Sequence, residues 1–292
     1  MADPNTSPLL RVRGLRVTFP SPAGPIEAVR GVSFDVGREK LGIVGESGSG
    51  KSMTGRALLK LSPRAARVTA ERLDFAGIDL MAASERRMRS IRGARISMIL
   101  QDPKYSLNPL MRVGRQIAET CRLHQRVGRA EAHAKALAML EAVHIREPRR
   151  VFDLYPHEVS GGMGQRIMIA MMLVTKPDLI IADEPTSALD VTIRRQVLSI
   201  LDELVTGRGV GLIFISHDLN LVAEFCDRVL VMYAGRIVEE LRAADLYKAR
   251  HPYTQALLRS LPRLDQPVAE LAVPTRDPSW WDGPTYRLEN VA

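Results

Sequence analysis

Residues 45–52 read Gly-Glu-Ser-Gly-Ser-Gly-Lys-Ser, matching G-x-x-x-x-G-K-[ST] at every constrained position. Such a stretch cradles phosphate. Gly45, Gly48 and Gly50 let the chain curl so that successive N–H groups face inward, and Glu46, Ser47 and Ser49 between them are expected to join the nucleotide site. Lys51 brings a mobile positive charge to the β- and γ-phosphates, and Ser52 a hydroxyl for Mg²⁺. The flanks agree. Leu41-Gly42-Ile43-Val44 is a short apolar strand, and Met53 opens a helix to Lys60 whose N-terminus faces the phosphates. The whole stretch Gly45–Met53 is expected to hold nucleotide.

A second stretch carries complementary chemistry. Leu179-Ile180-Ile181-Ala182-Asp183-Glu184 reads as a buried strand with two carboxylates at its C-terminal end, where open α/β sheets bind ligands. Asp183 is placed to hold Mg²⁺ directly or through water. Glu184 is placed to polarise an attacking water as general base.

Around these motifs, short apolar strands alternate with helices, the pattern of a parallel α/β sheet. Leu9–Phe19 and Glu27–Val36 read as strands joined by a turn at Pro20, Pro22, Gly24 and Pro25. Ile96–Leu100 is a buried strand ending at Gln101. Between about 105 and 158 the alternation stops. Val113–Leu123 and Ala130–Val143 carry apolar residues at helical spacing there, which predicts a separate helical subdomain. Gly161–Val174 reads as a long apolar helix. Further on come helix 191–205, strand 211–215, helix 219–225 and a strand pair, 229–233 with 236–240. From about residue 265 the prolines at 267, 274, 278 and 284 predict a loosely ordered tail, with docking of Trp280-Trp281 on the body of the protein or on a partner as the equal alternative.

The 292 residues are 46% hydrophobic, enough for a sizeable core, and no run reaches the length of a membrane span. Residues 1–8 are polar, so a cytoplasmic location is expected. Two cysteines, Cys121 and Cys226, have no metal-type spacing and read as small core residues in a reducing compartment. Of the formal net charge of +8, residues 81–150 carry +9. That concentration suits a solvated arginine-rich surface, an anionic membrane surface or nucleic acid. No run of aromatic residues interleaves the arginines as a base-stacking platform requires.

Val159-Ser160-Gly161-Gly162-Met163-Gly164-Gln165-Arg166 resembles the signature motif of ATP-binding-cassette (ABC) ATPases. With the phosphate loop, Gln101, Asp183-Glu184 and His217 in this order, the resemblance spans about residues 9–262. It implies an α/β P-loop NTPase fold, a RecA-like parallel core with an N-terminal antiparallel β subdomain and an inserted helical subdomain at about 105–165. Residues 263–292 would be a C-terminal extension. It also implies ATP as substrate, Mg²⁺ as cofactor, and two subunits that sandwich two nucleotides head to tail. Ser160, Gly161 and Gly162 would then face the γ-phosphate of the nucleotide on the partner subunit. His217, in Ile215-Ser216-His217-Asp218, resembles the switch histidine. Ser187-Ala188-Leu189-Asp190 resembles the D-loop, which crosses the dimer interface and puts Asp190 among the residues of the nucleotide site. Gln101 resembles the Q-loop glutamine that reaches Mg²⁺ and the attacking water, and Phe19 stands where an aromatic residue stacks on adenine. Metal contacts are thus implied for Ser52, Gln101 and Asp183, and catalytic roles for Glu184, His217 and Gln101.

Gln101-Asp102-Pro103, Ser106-Leu107-Asn108-Pro109-Leu110, Ser160–Met172 and His251-Pro252-Tyr253-Thr254-Gln255-Ala256-Leu257-Leu258 resemble the branch that powers dipeptide, oligopeptide and nickel import. This implies two membrane-spanning permeases, a second and non-identical ATPase, an extracytoplasmic binding protein and no nucleic acid. The chain would work as a peripheral subunit at the cytoplasmic face of the inner membrane. Opine-like solutes and metal chelates stay open as cargo. A soluble ABC-type ATPase acting on nucleic acid or ribosomes and an exporter ATPase are the alternative readings. Ser160 follows Gln101 by only 59 positions, and the chain has one cassette, which disfavours the soluble alternative. Two departures stand out: Val159 replaces the usual leucine, and Gly164 replaces the usual Arg or Gln at a cost of about 1 kcal/mol of helix stability.

Overall fold

The computed structural model describes residues 8–101, 106–187, 189–261 and 277–288. Asp102, Pro103, Ala188, Pro267 and Pro274, read above as parts of the Q-loop, D-loop and tail, lie outside them. In chain order the elements begin β1 (Leu10–Phe19), β2 (Ile26–Val36), β3 (Lys40–Val44), α1 (Lys51–Leu58), β4 (Arg67–Thr69), β5 (Arg72–Phe75) and β6 (Ile78–Asp79). Next come α2 (Glu85–Ile91), β7 (Ile96–Ile99), α3 (Val113–Gln125), α4 (Arg129–Ala142), α5 (Pro148–Phe152), α6 (Gly161–Leu173), β8 (Leu179–Asp183) and α7 (Val191–Arg208). The last are β9 (Gly211–Ile215), α8 (Leu219–Phe225), β10 (Arg228–Tyr233), β11 (Arg236–Arg242) and α9 (Pro252–Arg259). The chain divides into two compact units, one of residues 1–82 with 213–292, the other of residues 83–212.

In the first unit an antiparallel sheet runs β2-β1-β5-β6, with β4 also paired to β1. Its two long strands follow the period of two apart from a slip in each. Leu10 and Val12 are buried, then Leu15 and Val17, so the phase changes at Arg13-Gly14. The register against β2 shifts at that point, between the pairs Val12–Phe34 and Leu15–Val32. The irregularity keeps both halves of the strand facing the core. The unit's other strands follow the order β11-β10-β3-β9, with β10 parallel to β3 from Arg228–Leu41 to Val231–Val44. Four of the five residues of β3 and five of the six in β10 are buried. Continuous apolar runs of this length are what strands covered on both faces require.

In the second unit β7 and β8 pair in parallel, Ile96 opposite Leu179 and Ile99 opposite Ala182. Helices make up the remainder. Ala132, Ala136, Met139 and Leu140 form the buried stripe of α4, at the spacing a helix needs. α3 approaches α5 so closely that a Cβ on Gly114 would lie 2.1 Å from the Phe152 ring. Among the described residues no helix is long and apolar enough to cross a membrane. Both cysteines are buried, as expected, and burial pushes both thiols up.

Where it is described, the tail takes the docked alternative rather than the loosely ordered one. Its described part, residues 277–288, is held on the first unit. Tyr286 N donates to the Val238 carbonyl at 3.0 Å and Glu240 N to the Tyr286 carbonyl at 2.8 Å, which adds a parallel bridge beside β11. Trp280 packs edge-on against Tyr233. Proline content alone missed this because an aromatic anchor and an open strand edge offset the ordering cost of a short segment.

Candidate nucleotide-binding site

The phosphate loop lies in the first unit, between β3 and α1. Gly45 and Gly50 have φ of +149° and +97°, a region that side chains disfavour. A Cβ on Gly45 would stand 2.1 Å from the Met232 carbonyl oxygen, and one on Gly50 2.5 Å from that of Ala28. Backbone packs against backbone there. No side chain caps α1 at Gly50. First-turn amides at a helix start are natural anion donors. Lys51 is 5% exposed, and its Nζ donates to the carbonyls of Gly45 and Glu46, both at 2.7 Å. The ammonium thus sits inside the curl of the loop, and a phosphate would compete with those carbonyls for it. Curl, helix start and buried cation together fit a polyphosphate.

The loop is supported from behind by residues to which the sequence reading gave no role. Gly235 N donates to the Ser49 carbonyl at 3.0 Å. Glu46 N donates to the hydroxyl of Tyr253, which is fully buried. Tyr253 N in turn donates to Nδ1 of His251, whose burial lowers its pKa and keeps that nitrogen an acceptor. The His251–Leu258 stretch was noticed only as a family mark. Its position in sequence gives no hint that Tyr253 meets a loop 207 residues away.

Beside the loop lies a cleft of about 330 Å³, lined by Ile26–Ala28, Glu46–Ser49, Tyr233–Gly235 and Trp281. Phe19, the residue aligned with the adenine stack, ends β1 opposite Ile26 and is not part of this lining. His217 belongs to the same unit. It is exposed at the end of β9, where Ser216 N donates to the Ile43 carbonyl of the strand that precedes the loop. Asp218 caps α8 through Leu221 N at 3.1 Å.

The other predicted residues fall in the second unit. Asp183 ends β8 and is 5% exposed. Glu184 follows with φ of +48°, a left-handed conformation sparsely used by side chains other than glycine and asparagine. Ser187 N and Oγ both donate to the Glu184 carbonyl, which holds the turn. Gln101 is exposed just beyond β7. The segment after the undescribed residues is pinned by Gln116, whose amide accepts from Asn108 N and donates to the carbonyls of Asn108 and Met111.

Ser160 opens α6, its Oγ accepting from Met163 N at 3.3 Å. Asp190 opens α7 the same way through Ile193 N at 3.0 Å. The two helix starts meet, since a Cβ on Gly162 would lie 2.7 Å from Cγ2 of Ile193. Around Gly161 there is open space. Gln165 is buried and donates to the Pro185 carbonyl, which ties the signature helix to the turn after Glu184. A glutamine in an apolar helix was the available signal, because a buried amide needs a partner. The structure therefore joins the signature, acidic and D-loop motifs within one unit, and the phosphate loop and His217 within the other.

The family model "ABC transporter" matches residues 29–187, more than half of the chain. A probable peptide ABC transporter ATP-binding protein, y4tR of Sinorhizobium fredii, is 51% identical over 89% of this chain and 79% of its own. The oligopeptide transport ATP-binding protein OppD of Salmonella typhimurium is 48% identical over 93% of this chain and 82% of its own. The dimeric structure of MJ0796, a bacterial ABC transporter cassette, superposes with a TM-score of 0.72 at 25% identity, covering 80% of this chain and 98% of that one. The fold is that of a P-loop NTPase with an added antiparallel sheet and inserted helices, and the chain belongs to the ABC transporter family as one of its ATPases.

Proposed function

We propose that this chain powers the import of peptides. The single observation that carries the cargo class is the 51% and 48% identity, over most of each chain, to ATPases named for peptide and oligopeptide transport. The phosphate loop Gly45–Met53 holds the nucleotide, with Lys51 on the β- and γ-phosphates. Glu184 takes the proton of the attacking water, His217 senses the γ-phosphate, and Gln101 orients the water. Ser52, Asp183 and Gln101 offer hydroxyl, carboxylate and amide oxygens, a hard donor set that suits Mg²⁺. When bound, the ion neutralises charge on the phosphates.

The unit is half of a machine. Ser160, Gly161 and Gly162 serve a nucleotide on a second ATPase subunit, and the dimeric state of the MJ0796 cassette supports that arrangement. Two membrane-spanning permeases and an extracytoplasmic binding protein complete it, with this chain on the cytoplasmic face and no nucleic acid involved. The tagged chain, recovered from detergent-solubilised native membranes and identified by mass spectrometry with its companions, tests the reading. Two polytopic proteins, a second ATPase and a binding protein that takes peptides are expected. A binding protein specific for nickel or an opine overturns the cargo class, and recovery with ribosomes or nucleic acid overturns import itself.

A further inference from the structure

Both tryptophans of the chain, Trp280 and Trp281, sit side by side in the docked C-terminal segment. They make different contacts, and both lead to the phosphate loop. Trp280 packs on Tyr253 and Tyr233, with ring centroids 5.8 Å and 6.0 Å away. Tyr253 accepts the Glu46 amide at 3.0 Å. Trp281 lines the cleft together with Glu46, Ser47, Gly48 and Ser49, and its side chain is half exposed. The Arg30 guanidinium lies 4.6 Å from its ring centroid, and Arg30 is not among the residues lining the cleft. One face of the indole is thus backed by a cation, while the ring borders open space beside the loop.

The segment is held firmly enough to keep that ring in place. Arg30 and Arg236 each donate to the Trp281 carbonyl, at 3.1 Å and 3.0 Å. Arg30 also pairs with Asp282 at 2.8 Å. Thr285 Oγ1 donates to the Ile237 carbonyl at 3.0 Å, and Tyr286 is bonded on both sides by the β11 backbone. A planar aromatic surface beside a phosphate cradle suits a nucleobase, which stacks on any such face. A pre-positioned ring loses little freedom on binding.

We propose that Trp281 is the surface on which the base of the bound nucleotide stacks, so that the C-terminal segment is part of the nucleotide site. This rests on the reading of residues 45–53 as the ATP cradle. The resemblance to the family puts Phe19 forward for a base stack; Phe19 lies outside the cleft lining, and Trp281 adds a stacking face within it.

The experiment measures binding of ATP and of inorganic triphosphate, which has no base, to the purified full-length chain and to Trp281→Ala and Trp281→Phe. Trp281→Ala is expected to weaken ATP about tenfold, the loss of one base–aromatic stack, with inorganic triphosphate unaffected and Trp281→Phe largely restored. In Trp280→Phe, where Trp281 is the only tryptophan, ATP is expected to change its emission and inorganic triphosphate is not. Unchanged ATP affinity in Trp281→Ala overturns the proposal. Equal weakening of both ligands overturns it too, by showing a merely structural effect. A wild-type chain that binds neither ligand overturns instead the reading of the loop, and this proposal with it.

Discussion

Two helix starts are assigned to phosphate in this chain, at α1 and at α6, and they are built on opposite principles. At α1 the glycines are demanded by the chain's own backbone. Gly45 and Gly50 have positive φ and meet carbonyl oxygens within 2.5 Å of where a Cβ would be. No side chain caps that helix. At α6 the start is capped by Ser160, and Gly161 faces open space, with no strain and no neighbour. The first loop is shaped by backbone contacts within its own unit. In the second, the missing side chain answers to nothing among the described residues. That freedom suits the reading of α6 as a surface that a partner's phosphate approaches. The Ser160 hydroxyl can still serve that visitor, since it accepts from Met163 N and keeps its own proton to donate.

The comparison separates holding the nucleotide from cutting it, and the largest expected effect tests that. Glu184→Gln removes the base of the acidic strand end and leaves the phosphate loop untouched. ATP affinity should be retained, while turnover falls by roughly 10²–10⁴-fold in a steady-state assay with the partner site also disabled. Unchanged turnover would assign the base elsewhere.

Paired alanine substitutions sharpen the contrast between the two starts. Gly50→Ala forces a Cβ onto the Ala28 carbonyl at a strained φ, and should cost at least about 2 kcal/mol in denaturant unfolding, with ATP binding lost. Gly161→Ala should leave stability within about 0.5 kcal/mol and reduce the turnover of the assembled transporter. Equal destabilisation by both would erase the distinction.

The smallest effect concerns the support behind the first loop. Burial holds His251 below its ordinary pKa, against the pull of nearby Glu239, whose Oε1 accepts from the Arg250 and His251 amides. The unfolded chain therefore takes up a proton at a pH where the folded one does not. Stability from this group is complete above the unfolded value of about 6.5 and declines as pH falls below it, toward the lower folded value. Melting temperatures at about pH 7.5 and pH 5.5 should show a fall in the wild type and a smaller one in His251→Asn, which keeps an acceptor for Tyr253 N. Equal slopes would exclude His251 as the source.

Much of the architecture was legible in the chain because its signals are local. The strand at 211–215 and the helix at 219–225 were read with the boundaries observed, since a continuous apolar run and an Asp cap announce them. The stretch from 61 to 95 went unread. β4 and β5 are three and four residues long, and α2 buries only Met88 and Ile91, so no periodicity accumulates over so few residues. The D-loop aspartate was read as an interface residue, and the fold adds a local duty as cap of α7. Gly164 lies inside a helix read over 161–174 and observed over Gly161–Leu173, with Gly164 N bonded to the Ser160 carbonyl.

By itself the sequence determined the motifs, their order and the kind of chemistry, because a phosphate loop or a strand ending in two acids is written in consecutive residues. Only the tertiary structure decided what stands behind and beside those motifs. Tyr253 under Glu46, Gln165 on Pro185, and Trp281 in the cleft join residues from 20 to more than 200 positions apart. Such pairings depend on how strands and helices close on one another, and no local pattern of side chains encodes that closure.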